Sequence, residues 1–224
     1  MTIFDKKLDN LLEISPNYGQ MIVLEGLIGA GKSTETEKIQ KQYPYVKIFK
    51  EPVDHPIISK LMPIFYGYLA GENNERSVCF TFQEAWLTIR CQMHKEACRL
   101  VWEEKATCVF DRSVYGDASF AHNLNGAGHI TDTEFAIYMA MRNYLTSQLY
   151  IPHKFIWLDL EVKETMRRIA KRDRPCERGI TEEYLSGLLE SYKEMVLKPF
   201  EEIGKVSYYT PPVDDSDDLQ VSGS

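Results

Sequence analysis

Residues 23–34, VLEGLIGAGKST, leave this chain little freedom. They read G-x-x-x-x-G-K-S from Gly26 to Ser33, directly after a short apolar run and just before a helical pattern. Gly26, Gly29 and Gly31 let the backbone turn its N–H groups toward an anion. The positive end of the following helix adds to that field. In this context the motif is a cradle for the phosphates of a nucleoside triphosphate. The loop residues Gly26, Leu27, Ile28, Gly29, Ala30 and Gly31 would wrap the phosphates, with Thr34 at the start of the helix. Lys32 would reach the outer phosphates, and the Ser33 hydroxyl would face Mg²⁺. The loop says that a nucleoside triphosphate binds and leaves open what receives its phosphate, or whether water does.

The rest of the pattern repeats the same architecture. Short runs rich in β-branched and aromatic residues fall at 21–24, 46–49, 107–110, 155–158 and 206–209. Longer helical patterns separate them, including 77–104 and 131–149. Strands alternating with crossover helices predict an α/β fold with a parallel sheet covered on both faces. Thr131-Asp132-Thr133-Glu134 is a capping-box signature for the second long helix. With 224 residues, one domain is expected, over residues 1–210, followed by an acidic, flexible tail at 211–224.

Charge and cysteine content exclude other classes. A net charge of −7 argues against a broad nucleic-acid footprint. No apolar run is long enough to span a membrane. The first residues show no signal-peptide hydrophobic region and carry acids that transit peptides avoid, so a cytoplasmic protein is expected. Five cysteines without C-x-x-C spacing read as reduced, mostly buried thiols.

Three clusters then follow strand ends or helix ends. Glu51, in FKEPVDHP, follows the second predicted strand, where a carboxylate could take a proton from an attacking hydroxyl. Asp111 and Arg112 follow the third. Asp111 is placed to contact Mg²⁺, and Arg112 could pair with Glu51 and neutralise a transferring phosphoryl group. An isolated Asp-Arg would be an ordinary loop ion pair; after a phosphate loop and a strand-end Glu, function is the better reading. Arg168, Arg172 and Arg174, in RRIAKRDRP, end a predicted helix, with Arg168 and Arg172 on one face. A basic helix end is usually solvated, but so late in such a chain it suggests a mobile, Arg-rich lid that excludes water.

With EGLIGAGKST, EPV, FTFQ, DRSVYGD and KRDRPCERGITEEYL in this order, residues 21–209 resemble the deoxynucleoside kinase family. The deoxycytidine, deoxyguanosine and deoxyadenosine kinase branch is the most similar. The resemblance implies a three-layer P-loop kinase fold with a five-stranded parallel sheet in the order 2-3-1-4-5. It implies Glu51 as the base that deprotonates the sugar 5′-hydroxyl, Asp111 as an acceptor or Mg²⁺ contact, and Arg112 at the 5′ end of the substrate. It implies Tyr66, with Tyr68 as the competing choice, and Glu177 on the 3′-hydroxyl. For the base it implies Gln83 with Phe82 beside it, an Arg90–Asp117 pair, and Phe120 as a stacking ring. An aspartate can accept from an exocyclic amine while an arginine orients it.

The chain departs from some relatives in having His55-Pro56 where they carry Trp. Together with Arg174-Pro175, this favours a purine deoxynucleoside, deoxyadenosine or deoxyguanosine, with deoxycytidine also compatible. The family further implies a homodimer through the long helices. Two other readings compete. Thymidylate-type monophosphate kinases usually carry Arg before an EPG motif, where this chain has Lys50 and Val53. A non-catalytic nucleotide switch would not need Glu51, Tyr66 and Glu177 together.

Overall fold

The computed structural model describes residues 6–15 and 18–213. Its elements run α1 (Lys6–Leu12), β1 (Gln20–Gly26), α2 (Lys32–Gln42), β2 (Lys47–Phe49), α3 (Pro56–Leu69), α4 (Ser77–Glu103), β3 (Thr107–Asp111), α5 (Asp117–Gly126), α6 (Asp132–Thr146), β4 (Lys154–Leu158), α7 (Val162–Arg172), α8 (Glu182–Tyr192), α9 (Lys198–Glu201) and β5 (Val206–Tyr209). A 3₁₀ turn at Pro175–Glu177 and a π turn at Lys193–Leu197 flank α8. The five strands are all parallel and lie in the order β2-β3-β1-β4-β5, as expected.

All seven residues of β1 are buried, because the strand sits between β3 and β4 with helices on both faces. Its side chains alternate between two cores. Met21 and Val23 join Phe110, Phe155 and Trp157 in the cluster under α4, α5 and α8. Ile22 and Leu24 join Val109, Ile156 and Leu158 on the other face. That second core is closed by Ile39 of α2 and by Leu8 and Leu12 of α1. The helix α1 was not anticipated. Leu8 and Leu12 are buried one helical turn apart, and Leu11 packs against the same core in a segment otherwise made of Lys, Asp and Asn.

The order of the strands is what builds the site. The chain leaves the central strand in opposite directions on either side of β1, which opens a crevice at the carboxyl ends. Gly26 ends β1, Asp111 ends β3, and Glu51 lies two residues beyond β2. The backbone N–H of Arg112 still donates to Leu24 O at 3.0 Å, so the turn after β3 is tied to β1.

The long helix α4 has 27 residues, about 40 Å at 1.5 Å per residue. It lays Phe82, Gln83, Trp86 and Arg90 along the crevice. The helix α6 starts with the expected capping box between Thr131 and Glu134. Cys79, Cys91 and Cys108 are buried and Cys98 is half-buried, all as free thiols. Residues 214–224 of the acidic tail lie outside the described residues. Among the described residues no helix is long and apolar enough to cross a membrane.

Candidate active site

A cleft of about 800 Å³ runs along the carboxyl edge of the sheet. The phosphate loop forms one end and α3, α4 and α5 form the other. Gly31 caps α2 with φ 97°, a left-handed conformation that glycine adopts without penalty. Gly29 has φ 88°, and a Cβ there would stand 2.8 Å from Thr165 O of α7. The loop is therefore pressed against α7, the helix that carries Arg168.

Lys32 is buried and folds back on its own loop, donating to Leu27 O at 2.9 Å and Gly26 O at 3.2 Å. Burial, reinforced by Arg112, pushes its ammonium down to about 8, although Asp111, Glu51 and Glu25 pull the other way. A bound triphosphate would restore the charge balance. Leu27 and Ala30 turn their side chains into the two cores. Their contribution to a phosphate cradle would come from the backbone alone.

Ser33 Oγ donates to Asp111 Oδ2 at 2.6 Å, so the two expected Mg²⁺ residues meet. Asp111 Oδ1 is buried with no hydrogen-bond partner. An orphaned carboxylate oxygen beside a hydroxyl fits a hard cation. Among the described residues no cluster of three or more His, Cys, Asp or Glu could hold a metal. Such a set suits Mg²⁺, which keeps waters and phosphate oxygens as most of its ligands.

Glu51 lies between two buried guanidinium groups. Its Oε1 is 2.7 Å from Arg90 Nη2 and 3.3 Å from Arg112 Nε. Burial alone would raise its pKa, but Arg112, Arg90 and Lys32 together outweigh that and hold it at about 2. Arg90 also places Nε 2.9 Å from Asp117 Oδ1. It therefore bridges the expected base to the expected reader of the nucleobase, a link that sequence spacing did not reveal. Burial pushes the Asp117 carboxyl up to about 7 against the pull of Arg90, and its Oδ2 is buried without a partner.

The remaining acceptor-side residues line the same cleft. Tyr66 faces it, whereas Tyr68 lies edge-on to His129, with 5.4 Å between ring centroids. Gln83 is buried on α4, and among the described residues no hydrogen bond engages its amide. Phe120 packs under the Arg112 guanidinium at 4.8 Å. Glu177 is taken by two of the expected lid arginines: Arg172 Nη2 is 2.6 Å from its Oε2, and Arg174 Nη1 is 3.5 Å from its Oε1. Arg174 lies beyond the end of α7, which stops at Arg172. Arg168 reaches back over the loop, donating to Ala30 O at 3.4 Å and Pro212 O at 2.8 Å.

Several contributors were not anticipated, and His55 has a different role from the one its position suggested. Trp86 lines the cleft one turn before Arg90, whose guanidinium lies 4.4 Å from its ring. The i,i+4,i+8 series Phe82, Trp86, Arg90 was the available signal. His55, in place of the Trp of some relatives, caps α3, its Nδ1 accepting from Ile57 N at 3.3 Å. Tyr184 of α8 lines the cleft as well. Glu25 and Tyr192 lie behind Arg112 and outside the lining; a carboxylate inside MIVLEG was the only hint of them.

A phosphate cradle at the centre of a parallel sheet, facing a pocket of aromatic, amide and carboxylate groups, defines a P-loop nucleotide-binding protein with a second ligand site. The family model described as deoxynucleoside kinase matches residues 22–220, and the chain belongs to that family. A deoxyguanosine kinase of Dictyostelium discoideum is 33% identical over 184 residues, covering 81% of this chain and 60% of that relative's length. A deoxyadenosine kinase of the same organism is 29% identical, covering 80% of this chain and 67% of the relative. Among solved structures, a deoxyadenosine kinase from M. mycoides with bound dATP superposes with a TM-score of 0.70 at 25% identity, covering 90% of this chain and 96% of that one.

Proposed function

We propose that this chain transfers the γ-phosphate of ATP to the 5′-hydroxyl of a deoxynucleoside. The observation that carries this reading is the single cleft in which Lys32 and Ser33 at one end face Glu51, Arg112, Gln83 and Asp117 at the other. Phosphoryl transfer needs little covalent chemistry from a protein beyond alignment and charge stabilisation. The 5′-hydroxyl would hydrogen-bond to Glu51, which accepts its proton as the new P–O bond forms. Lys32, Arg112 and the lid arginines Arg168, Arg172 and Arg174 would hold the charge on the transferring group. Mg²⁺, held by Ser33 and Asp111, would add neutralisation of the phosphate oxygens. Tyr66 and Glu177 would fix the sugar 3′-hydroxyl. Gln83, Phe82 and Phe120 would hold the base, with Asp117 accepting from an amine.

A purine deoxynucleoside is the favoured substrate, with deoxycytidine compatible. Support comes from His55-Pro56 and Arg174-Pro175, and from relatives named for deoxyguanosine and deoxyadenosine. A dimer would form through the long helices; Ile137, Met141 and Tyr144 of α6 are exposed at i, i+4 and i+7 and fit such a surface. The test of function is ADP release from ATP with each of four deoxynucleosides and with dTMP. Stimulation by dTMP alone would favour a monophosphate kinase, and stimulation by none would leave a nucleotide switch.

Asp117 gives this reading a pH signature. An anionic acceptor binds an exocyclic amine better than a neutral acid does. The fraction ionised falls as pH drops through about 7. Glu51, at about 2, stays ionised throughout this range. Catalytic efficiency toward an amine-bearing substrate is therefore expected to fall from pH 8 to pH 6, mainly through KM. Asp117→Ala should abolish that acidic limb and shift preference toward thymidine. An unchanged substrate ranking would show that the pair is structural.

A further inference from the structure

We propose that Glu25 and Tyr192 form a buried brace that positions Arg112 for phosphoryl transfer without touching substrate; this rests on the kinase reading above. Glu25 is 1% exposed and Tyr192 is fully buried. Both carboxylate oxygens of Glu25 are in use. Oε1 accepts from Ser113 N at 2.9 Å and Ser113 Oγ at 2.8 Å. Oε2 accepts from Tyr192 Oη at 3.0 Å and lies 3.9 Å from Arg112 Nη1. The same Nη1 donates to Tyr192 Oη. Glu25 thus joins the turn after β3 to the guanidinium that the turn presents.

Three further features show how firmly this corner is built. Arg112 has φ 68°, a left-handed conformation that a residue with a Cβ keeps only when its surroundings over-determine it. The chain also closes over Glu25 at Gly116, where a Cβ would stand 2.5 Å from Glu25 Oε1. Tyr192 is the last residue of α8, and the π turn begins immediately after it. Such turns often mark functional positions. Its ring is fixed by Trp157, with centroids 5.1 Å apart, and by Phe120 at 6.0 Å.

A buried carboxylate on the central strand is costly unless paired, and apolar neighbours would serve packing better. Its value is to Arg112, whose ion pair on the cleft side, among the described residues, is with Glu51 at 3.3 Å. When Glu51 turns to the substrate hydroxyl, that contact weakens. The brace then keeps the guanidinium aimed at the transferring group.

The test compares wild type, Tyr192→Phe, Glu25→Gln, Arg112→Ala and the Glu25→Gln/Arg112→Ala double variant. Tyr192→Phe and Glu25→Gln should each lower kcat by about 10- to 100-fold, the weight of one hydrogen bond to a charged group. KM for ATP and for the deoxynucleoside should stay near wild type. Glu25→Gln should cost nothing further once Arg112 is alanine. A second readout is hydrogen exchange at the Arg112 Nε–H, slow in wild type and faster in Tyr192→Phe. Unchanged kcat in both single variants, or an equal loss from Glu25→Gln with and without Arg112, would overturn the brace. If wild type shows no deoxynucleoside-dependent turnover while Tyr192→Phe still speeds exchange, the reaction is at fault and the brace stands.

Discussion

Glu51→Gln is expected to lower turnover by about 10²- to 10⁴-fold, the usual weight of a positioned base, with ATP affinity close to wild type. Glutamine keeps the shape of the side chain and one acceptor oxygen. It removes the charge that Arg90 and Arg112 share at 2.7 and 3.3 Å. A carboxylate held at about 2 is a weak base by itself, so it cannot strip the alcohol in advance. In a loose phosphoryl-transfer transition state the proton leaves late, when the alcohol has become acidic. In the proposed mechanism Glu51 would act first by aligning the hydroxyl and afterwards by taking its proton. In the proposed reaction ATP would bind at the opposite end of the cleft, which is why its affinity should hardly change. Single-turnover kinetics with titrated ATP would check both halves, and near-normal turnover would remove Glu51 from the mechanism.

Arg112→Ala is expected to affect both activity and stability. A guanidinium on the transferring group is worth about 10³- to 10⁵-fold in related phosphoryl transfers. Its loss here would also remove the ion pair that the described residues give buried Glu25, at a cost of about 3–5 kcal/mol. For a chain of this length that is roughly 6–20 °C in Tm. Arg112→Lys should separate the effects. Lysine restores a charge near Glu25 but not the fork that touches Tyr192 and Glu51 together. Much of the stability should return while turnover stays low. Thermal melts alongside kcat per folded protein are the measurement. A lysine variant with wild-type turnover would show that Arg112 serves as a point charge only.

The donor half of the cleft was legible because its chemistry is local. Gly26 to Ser33 is contiguous, and backbone N–H groups do the work, so spacing alone identifies it. Glu51, Asp111 and Arg112 could be found because each follows a strand, and strand ends in such a sheet converge. The strand order itself came from family resemblance, since runs of apolar residues carry no order. Contacts between elements were not legible. Arg90 meets Glu51 across 39 residues of sequence, and no spacing reports that. Glu25 drew no reading of its own, because it falls between the apolar run 21–24 and the first glycine of the phosphate loop. Its partners, Ser113 and Tyr192, lie 88 and 167 residues away. The helix α1 escaped because seven residues give too little periodicity to distinguish it from a polar lead-in.

Transfer of label from γ-³²P-ATP to a deoxynucleoside tests the central claim most directly. The account predicts label in a deoxynucleoside 5′-monophosphate, formed with Mg²⁺ present and sharply reduced in Glu51→Gln. Label released only as inorganic phosphate, or transferred only to dTMP, would contradict it.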